Sequence, residues 1–149
     1  MKKGKFISCM AITAAVILSA TLLALAAQQP PETITIKPSI WKTFTKPLVT
    51  FSHKKHVTED KIACNQCHMI MKDGKNVWKE GDPVEKCEKC HNEPTTQMEY
   101  KLTPEQKKLN LKLSFHNLCI TCHRKVKNQH PTVNAPIVCA GCHKPAAAK

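Results

Sequence analysis

The pattern Cys-x-x-Cys-His occurs four times in this chain of 149 residues. Two thiols at this spacing, followed at once by an imidazole, form the attachment signature of a c-type haem. In that chemistry the thiols become thioether links to the porphyrin vinyl groups, and the histidine becomes an axial ligand of the iron. The sequence therefore predicts four covalently bound haem c groups. The motifs are Cys64–Cys67–His68, Cys87–Cys90–His91, Cys119–Cys122–His123 and Cys139–Cys142–His143.

Two other uses of paired cysteines account for this pattern less well. Structural zinc is also held by Cys-x-x-Cys pairs, but zinc does not need a histidine directly after the second cysteine. A disulfide framework gives no reason for the histidines either. The motifs use all but one of the 9 cysteines and leave Cys9, which lies in the N-terminal apolar run. Haem attachment is the interpretation that explains every motif residue.

The number of histidines matches the number of motifs. The chain has 8 histidines, and half of them lie inside the motifs. One spare histidine per haem is what ligation of every iron by two imidazoles requires. We therefore predict that all the histidines are iron ligands. The spare ones are His53, His56, His116 and His130.

The first 27 residues have the organisation of a Sec-type signal peptide. A start rich in lysine precedes an apolar run, residues 6–26. Residues 24–26 read Ala-Leu-Ala, which is typical of a cleavage site, and a polar segment with two prolines follows. We predict export to the periplasm, because c-type haems are attached on the outer side of the bacterial inner membrane. The alternative is an uncleaved anchor, since about 21 apolar residues are enough to span a membrane.

Charge and composition indicate what kind of partner to expect. The formal net charge is +12, and it falls to +9 without the three lysines of the signal. The propionates of four haems would offset most of that charge. The lysines are not interleaved with aromatic residues, which argues against nucleic-acid binding. We expect acidic redox proteins, steered by lysines around the haem edges, and membrane contact only if the N-terminal segment is retained. Candidate lysines are Lys125, Lys127 and Lys144.

Length and composition predict one small domain after the signal. A mature chain of about 122 residues is short, and it is poor in aromatic residues and carries 10 prolines. Such a chain buries little side-chain surface, so we expect the haems to form the core and the haem-free chain to be largely unfolded. The predicted fold is small and mostly irregular, with short α-helices and a short N-terminal β-ribbon. The predicted divisions are 1–27 (signal), 28–47 (extended segment) and 48–149 (tetrahaem cytochrome domain).

Patterns near the start of the mature chain predict the ribbon and a ligand segment. Residues 33–36 alternate polar and apolar side chains, and residues 48–51 form a second candidate strand. His53 and His56 follow, three positions apart, so in a helical turn both project from about the same face. One short segment can then serve two haems. Residues 72–76 are rich in turn formers and predict a loop.

One Asp-Pro pair and one Thr-Pro pair predict helix starts further along the chain. Asp82 with Pro83 predicts a short helix that carries the second motif. Thr103 with the proline after it predicts a helix that ends near residue 115, with His116 directly at its end. Prolines after residue 130 predict an irregular C-terminal part.

At this point the chain resembles the class III cytochromes c, small multihaem electron carriers in the periplasm of sulfate- and metal-reducing bacteria. The resemblance covers about residues 49–144. It rests on residues 49–56 (VTFSHKKH), on the haem motif that follows them, and on the spare histidine before the third motif. It implies an electron carrier and not an enzyme. It also implies donors of the hydrogenase or formate dehydrogenase type and membrane redox complexes as acceptors; we expect a monomer or one subunit of a redox complex.

The resemblance also implies ligand pairs for three of the irons. In the family, the first histidine of the Phe-x-His-x-x-His element ligates the first haem, and the second ligates the third haem. The spare histidine before the third motif serves the fourth haem. Carried over to this sequence, the pairs are His53 with His68, His56 with His123, and His116 with His143.

The second haem is where the chain departs from the family. Tetrahaem members carry a histidine directly after the first motif, and it ligates the second haem; here that position is Met69. His130 is the remaining histidine, so counting assigns it to the iron held by His91. The alternatives are an open position and a sulfur ligand from Met69, which would raise the potential of that haem.

Iron with two histidine ligands has no vacant position for a substrate. We therefore predict outer-sphere electron transfer at low potential, in which the fold fixes the spacing and potentials of the haems. One rival is a membrane-anchored tetrahaem quinol dehydrogenase subunit, which requires the apolar run to be retained. Another is a reductase that uses one open haem, for which only the second haem leaves room.

Overall fold

The computed structural model describes residues 30–145. The predicted signal peptide, residues 1–27, and the last four residues lie outside the described part. The chain divides into two compact units, Met1–Pro31 and Glu32–Lys149. The second unit carries every candidate ligand. Between residues 30 and 145, none of the helices combines the length and apolar character needed to cross a bilayer.

The predicted N-terminal ribbon is confirmed. Strand β1 (Ile34–Ile36) pairs antiparallel with strand β2 (Val49–Phe51), and Ile34 lies opposite Phe51. The alternating side chains of both segments suit a ribbon with one half-buried face. The ribbon ends two residues before His53, so it delivers the ligand segment at a defined place.

A helical turn follows β2, as the histidine spacing predicted, but it is wider than an α-helical turn. Residues Lys55–Glu59 form one π-helical turn, closed by the amide of Asp60 on the Lys55 carbonyl at 2.9 Å. Such turns are rare and often occur at functional sites.

The loop expected at residues 72–76 is a tight hairpin. Strand β3 (Met71–Lys72) pairs with strand β4 (Lys75–Asn76). Asp73 and Gly74 connect them with φ angles of 49° and 75°. Positive φ at both turn positions is the type I′ geometry, for which Asp-Gly is a preferred pair.

The helix that was predicted to begin at Pro83 is absent, so that prediction was wrong. The second motif instead forms a short 3₁₀ turn, Cys87–Lys89. Asp82 behaves as a turn residue and not as a helix cap, because its carboxylate accepts the amide of Lys79 at 2.8 Å. Because the Asp82 carboxylate makes this local hydrogen bond, it is not available to cap a helix.

The helix start at Thr103 is confirmed, but the helix has different bounds. Helix α1 (Pro104–Leu109) begins with a capping box between Thr103 and Gln106. Asn110 then interrupts the chain and caps helix α2 (Leu111–Gln129), accepting the amide of Leu113 at 2.9 Å. The prediction of one helix ending near residue 115 was therefore wrong.

The C-terminal part is irregular only over a short stretch. Residues 130–138 have turns and no helix or strand, as their prolines predicted. Helix α3 (Cys139–Cys142) then contains the cysteines of the last motif.

Few apolar side chains are buried in the described part. Trp78, Leu111 and Ala135 are the buried apolar residues there, while Val84 and Val138 remain 61% and 65% exposed. The tightest packing lies at the α1–α2 junction, where Leu111 and the polar Asn110 are both fully buried. The prediction of a small side-chain core is therefore confirmed.

Candidate haem sites

Each motif is built on a short turn that returns the histidine towards the first cysteine. In the first, second and fourth motifs the histidine amide donates to the carbonyl of the first cysteine. Helix α2 contains the third motif, so the same i to i+4 bond forms part of that helix. The bonds of the first, second and fourth motifs are His68 to Cys64 at 2.9 Å, His91 to Cys87 at 2.8 Å and His143 to Cys139 at 2.8 Å.

The thiols of the motifs are free, and they lie close to one another. None of the eight motif cysteines forms a disulfide. Burial raises the pKa of Cys67, and nearby Cys122 and Cys87 raise it further. Burial also raises the pKa of Cys119 to about 11, with Cys67 adding to the effect. These interactions between distant parts of the sequence show that the motifs gather in one region.

Three pairs of histidine rings face each other in this region. Two imidazoles that bind one metal ion from opposite sides, each at about 2 Å, have ring centroids about 6 Å apart. A ligand ring can rotate about its bond to the metal, so such pairs can have any angle between ring planes. The centroid distances are 6.1 Å for His53 with His68, 6.2 Å for His56 with His123 and 6.5 Å for His116 with His143.

Backbone carbonyls fix the orientation of several of these rings. A carbonyl oxygen only accepts hydrogen bonds, so a ring nitrogen that contacts it carries the proton. With Nδ1 protonated, Nε2 keeps its lone pair and can bind a metal. The Nδ1 contacts are His56 to Ser52 at 2.9 Å, His91 to Lys108 at 2.9 Å, His123 to Pro136 at 2.6 Å and His143 to Pro47 at 2.7 Å.

The electrostatic surroundings favour the neutral form of two more ligand candidates. Burial lowers the pKa of His68, and the neighbouring His53 lowers it further. Burial also lowers the pKa of His116, with contributions from Lys112 and His143 in the same direction. Neutral imidazole is the form that binds a metal ion. The donor set and its protonation thus fit haem iron between the facing rings.

An open pocket adjoins the first motif. Its lining includes both histidines of the Phe-x-His-x-x-His element, Phe51 at the end of β2, and the first motif itself. The Phe51 ring lies 4.6 Å from the His56 ring and 5.9 Å from the His53 ring. Phe51 therefore packs against both histidines and sets where the segment turns.

Two residues that the sequence analysis did not identify support the first motif. The side chain of Asn76 donates to the carbonyls of Asn65 and His68, both at 3.0 Å, and accepts the amides of Ile70 and Trp78. The Trp78 ring lies 5.1 Å from the His68 ring. The hairpin of β3 and β4 thus holds the segment that follows His68.

The second motif differs from the other three. Within the described residues, the ring of His91 contacts no other histidine ring. His130, its predicted partner, is exposed at the end of α2 and does not contact it. Met69, the other candidate, is 43% exposed. His91 Nδ1 instead has two hydrogen-bond partners, the carbonyl of Lys108 and the hydroxyl of Ser114 at 2.8 Å. The structure therefore does not bring together the predicted pair of His91 and His130.

The sequence profile of the Class III cytochrome C family matches residues 30–143. This range contains every motif and every facing ring pair. The chain belongs to this family. Family membership makes it a multihaem, cytochrome c3-like electron carrier that binds haem c.

Two relatives in the family show how much of the chain is shared. The chain is 31% identical over 117 residues to "Cytochrome c3, 26 kDa" of Desulfomicrobium norvegicum. The match covers 76% of this chain and 94% of the relative. It is also 31% identical over 121 residues to "High-molecular-weight cytochrome c" of Nitratidesulfovibrio vulgaris. That match covers 73% of this chain but only 19% of the relative, so the chain corresponds to one part of a much longer protein.

Proposed function

We propose that this class III cytochrome is a periplasmic tetrahaem protein that carries electrons by outer-sphere transfer between redox enzymes. The observation that carries the proposal is the set of three histidine ring pairs, with centroids 6.1–6.5 Å apart and each next to a haem attachment motif. Each pair has the spacing that an iron ion between two imidazoles needs.

The proposed ligand set follows from these pairs. The eight motif cysteines would hold the haems, and each motif histidine would bind one iron. The second ligands of the first, third and fourth haems are His53, His56 and His116. For the second haem His130 stays the prediction from ligand counting, with Met69 as the alternative.

Haem iron, once bound, supplies reversible one-electron oxidation and reduction. The side chains of this protein would prevent a substrate from binding to the iron during this electron transfer. Imidazoles on both faces leave no room for a substrate at the paired sites. At His56, His123 and His143 a backbone carbonyl holds the Nδ1 proton, which fixes the orientation of the ring and leaves Nε2 for the iron. The closeness of the thiols of Cys67, Cys87 and Cys119 supports haems near enough to exchange electrons within one molecule.

Mass spectrometry of the mature protein, purified from the periplasm, tests the proposal. We expect the polypeptide from residue 28 onwards plus the mass of four haems. A matched variant, Cys87→Ser with Cys90→Ser, should carry one haem fewer. A protein that weighs no more than its polypeptide, or that has no Soret absorption, would overturn the proposal. Retention of the N-terminal run would instead support the membrane-anchored subunit.

The proposed partners are acidic redox proteins, with hydrogenase or formate dehydrogenase as donors and membrane redox complexes as acceptors. Lys125 and Lys144 are exposed next to the third and fourth motifs, and Lys127 is half-buried. Attraction between exposed charges is screened by salt. We expect the rate of reduction by an acidic donor to fall as ionic strength rises, and the triple lysine-to-glutamine variant to be slower and less salt-dependent. A rate that is independent of salt would contradict this surface.

One observation favours a second candidate function, reduction of a small substrate at one open haem. His91 has no facing histidine ring among the described residues. Carbon monoxide added to the reduced protein tests this function. Binding of one equivalent per protein would support the reductase, whereas an unchanged spectrum would support the carrier.

A further inference from the structure

The hydrogen bonds of His91 define which atom carries its proton. Its Nδ1 lies 2.9 Å from the Lys108 carbonyl oxygen and 2.8 Å from Ser114 Oγ. Ser114 uses its own proton elsewhere, since Oγ donates to the Asn110 carbonyl at 2.9 Å. Both partners of His91 are therefore acceptors, and a single N–H is shared between them.

This double contact distinguishes His91 from the other motif histidines of the described chain. His123 and His143 each have one Nδ1 partner, which is a proline carbonyl. No Nδ1 partner of His68 is seen within residues 30–145. The contact from a side-chain hydroxyl is therefore particular to the second motif.

The break between α1 and α2 makes this geometry possible. In a continuous helix the Lys108 carbonyl would accept the amide of residue 112, and Ser114 would lie on another face. Asn110 holds the break, since its amide group donates to Glu93 Oε2 at 2.7 Å and to the Thr95 carbonyl at 2.8 Å. The backbone of Glu93, two residues after His91, bonds to both sides of the break. The second motif is thus joined to the atoms that orient its histidine.

We propose that Ser114 is a positioning residue for His91, and that its hydroxyl lowers the reduction potential of the haem attached at Cys87 and Cys90. The inference rests on the proposed role of His91 as an iron ligand. A second acceptor on Nδ1–H draws the proton away from the ring, which makes Nε2 a stronger donor. A stronger donor stabilises oxidised iron relative to reduced iron, so the potential falls.

Redox titration of the holoprotein, with the four haems resolved by NMR of their methyl groups, tests this inference. In Ser114→Ala, one midpoint potential should shift to a more positive value while the others stay. Ser114→Thr keeps a hydroxyl that can make the same bonds and should restore the original value. Asn128→Ala, an exposed change on the same helix, is the control and should shift none of the potentials.

The outcomes separate this inference from the proposed function. Four attached haems with unchanged potentials in Ser114→Ala would overturn the role of Ser114 alone. A positive shift that Ser114→Thr does not restore would also overturn it, because packing and not the hydroxyl would then set the potential. Fewer than four haems in the unmodified protein would overturn the proposed function itself. If Ser114→Ala does not fold, Ser114→Val against Ser114→Thr, which have the same shape, gives the same comparison.

Discussion

Four of the candidate iron ligands make a second contact through the Nδ1 side of the ring. For His123 and His143 that contact is a carbonyl of a proline, Pro136 and Pro47. Both carbonyls lie in segments without helix or strand, so no ladder or helix competes for them. The irregular backbone that the prolines produce is thus what makes these acceptors available to the ligands.

The pairing of His116 with His143 can be tested by changing the type of ligand. We expect His116→Met to raise the potential of the haem held by His143, because a thioether favours reduced iron more than imidazole does. A near-infrared band of His–Met ligation should appear in the oxidised protein. Asn117→Met adds a methionine at the next position of α2 and should leave the spectrum unchanged. An unchanged spectrum and potential in His116→Met would contradict the pairing.

Glu93 makes the stability of the protein depend on pH, and the direction of this dependence can be predicted. Desolvation alone would raise its pKa, but hydrogen bonds from Asn110 and Thr95 together hold the pKa below its ordinary value of 4.5. The ionised form therefore stabilises the fold above pH 4.5, and that stability is lost as the pH falls through the lowered pKa. Hydrogen bonds to a charged group contribute about 1.5–3 kcal/mol.

We expect Glu93→Gln to be less stable than the natural protein at pH 7, with the difference shrinking as the pH falls towards 3. Thermal unfolding of the holoprotein followed by far-UV circular dichroism would measure this difference. Glu80 is exposed and makes no hydrogen bond to any residue between 30 and 145, so Glu80→Gln should not change the melting temperature. A difference between Glu93→Gln and the natural protein that is constant with pH would refute the role of the charge.

At the scale of elements, the connection between β1 and β2, residues 38–47, fastens the second and fourth motifs to the ribbon. The backbone amide and hydroxyl of Ser39 both donate to the carboxylate of Glu88 at 2.8 Å, and Glu88 lies between the cysteines of the second motif. The indole of Trp41 donates to the Pro94 carbonyl at 2.8 Å. Since this segment also supplies the Pro47 carbonyl to His143, it contacts two haem sites without contributing a ligand.

We expect Trp41→Phe to lower the free energy of unfolding by about 1 kcal/mol, because the aromatic ring is largely kept and the hydrogen bond is lost. Chemical denaturation of the holoprotein followed by circular dichroism would measure it. Thr43→Ala changes an exposed residue of the same segment that makes no hydrogen bond within the described part of the chain, and it should be neutral. Equal stability of Trp41→Phe and the natural protein would show that the segment is held by other contacts.

The two helix predictions that were wrong have local causes. At Asp82 the carboxylate closes a turn with Lys79, and the turn competes with the helix start. At Asn110 the side chain is fully buried and bonds to residues far back in the sequence. Asparagine between two leucines favours a cap over a helix interior, so the break had a weak signal in the sequence. The sequence carried no signal that Glu93 and Thr95 are the hydrogen-bond partners of Asn110.

For the whole molecule, the shortage of buried apolar side chains in the described part predicts that stability depends on the haems. Leu111 is the one apolar side chain of the described part that is completely buried. Helix α2 is the longest helix within residues 30–145, and helices in proteins draw most of their stability from the packing of an apolar face. We therefore expect folding to draw on apolar area that the haems supply.

We expect the haem-free polypeptide to lose most of its helical signal in far-UV circular dichroism. Protein produced in the cytoplasm with the motif cysteines changed to serine provides such a sample. The holoprotein at the same concentration is the reference. A haem-free chain with the helical content of the holoprotein would refute the dependence on haem.

The sequence by itself determined the haem-binding class of the protein, the number of Cys-x-x-Cys-His motifs and the ribbon, because these depend on residue type and on short spacing. Residues close in sequence are also close in space, so the spacing of Phe51, His53 and His56 predicts that their side chains lie together. The resemblance extended this to three histidine pairs between distant segments.

Only the tertiary structure decided which of the predicted histidines face each other and which do not. It brings His116 to His143 through the position of α2, whereas His130 lies exposed and apart from the ring of His91. It also supplied the groups that orient the ligands. Most of these groups are backbone carbonyls, which every residue has, so the types of residue in a sequence cannot distinguish them. Their roles arise only when the folded backbone places them against a particular ring.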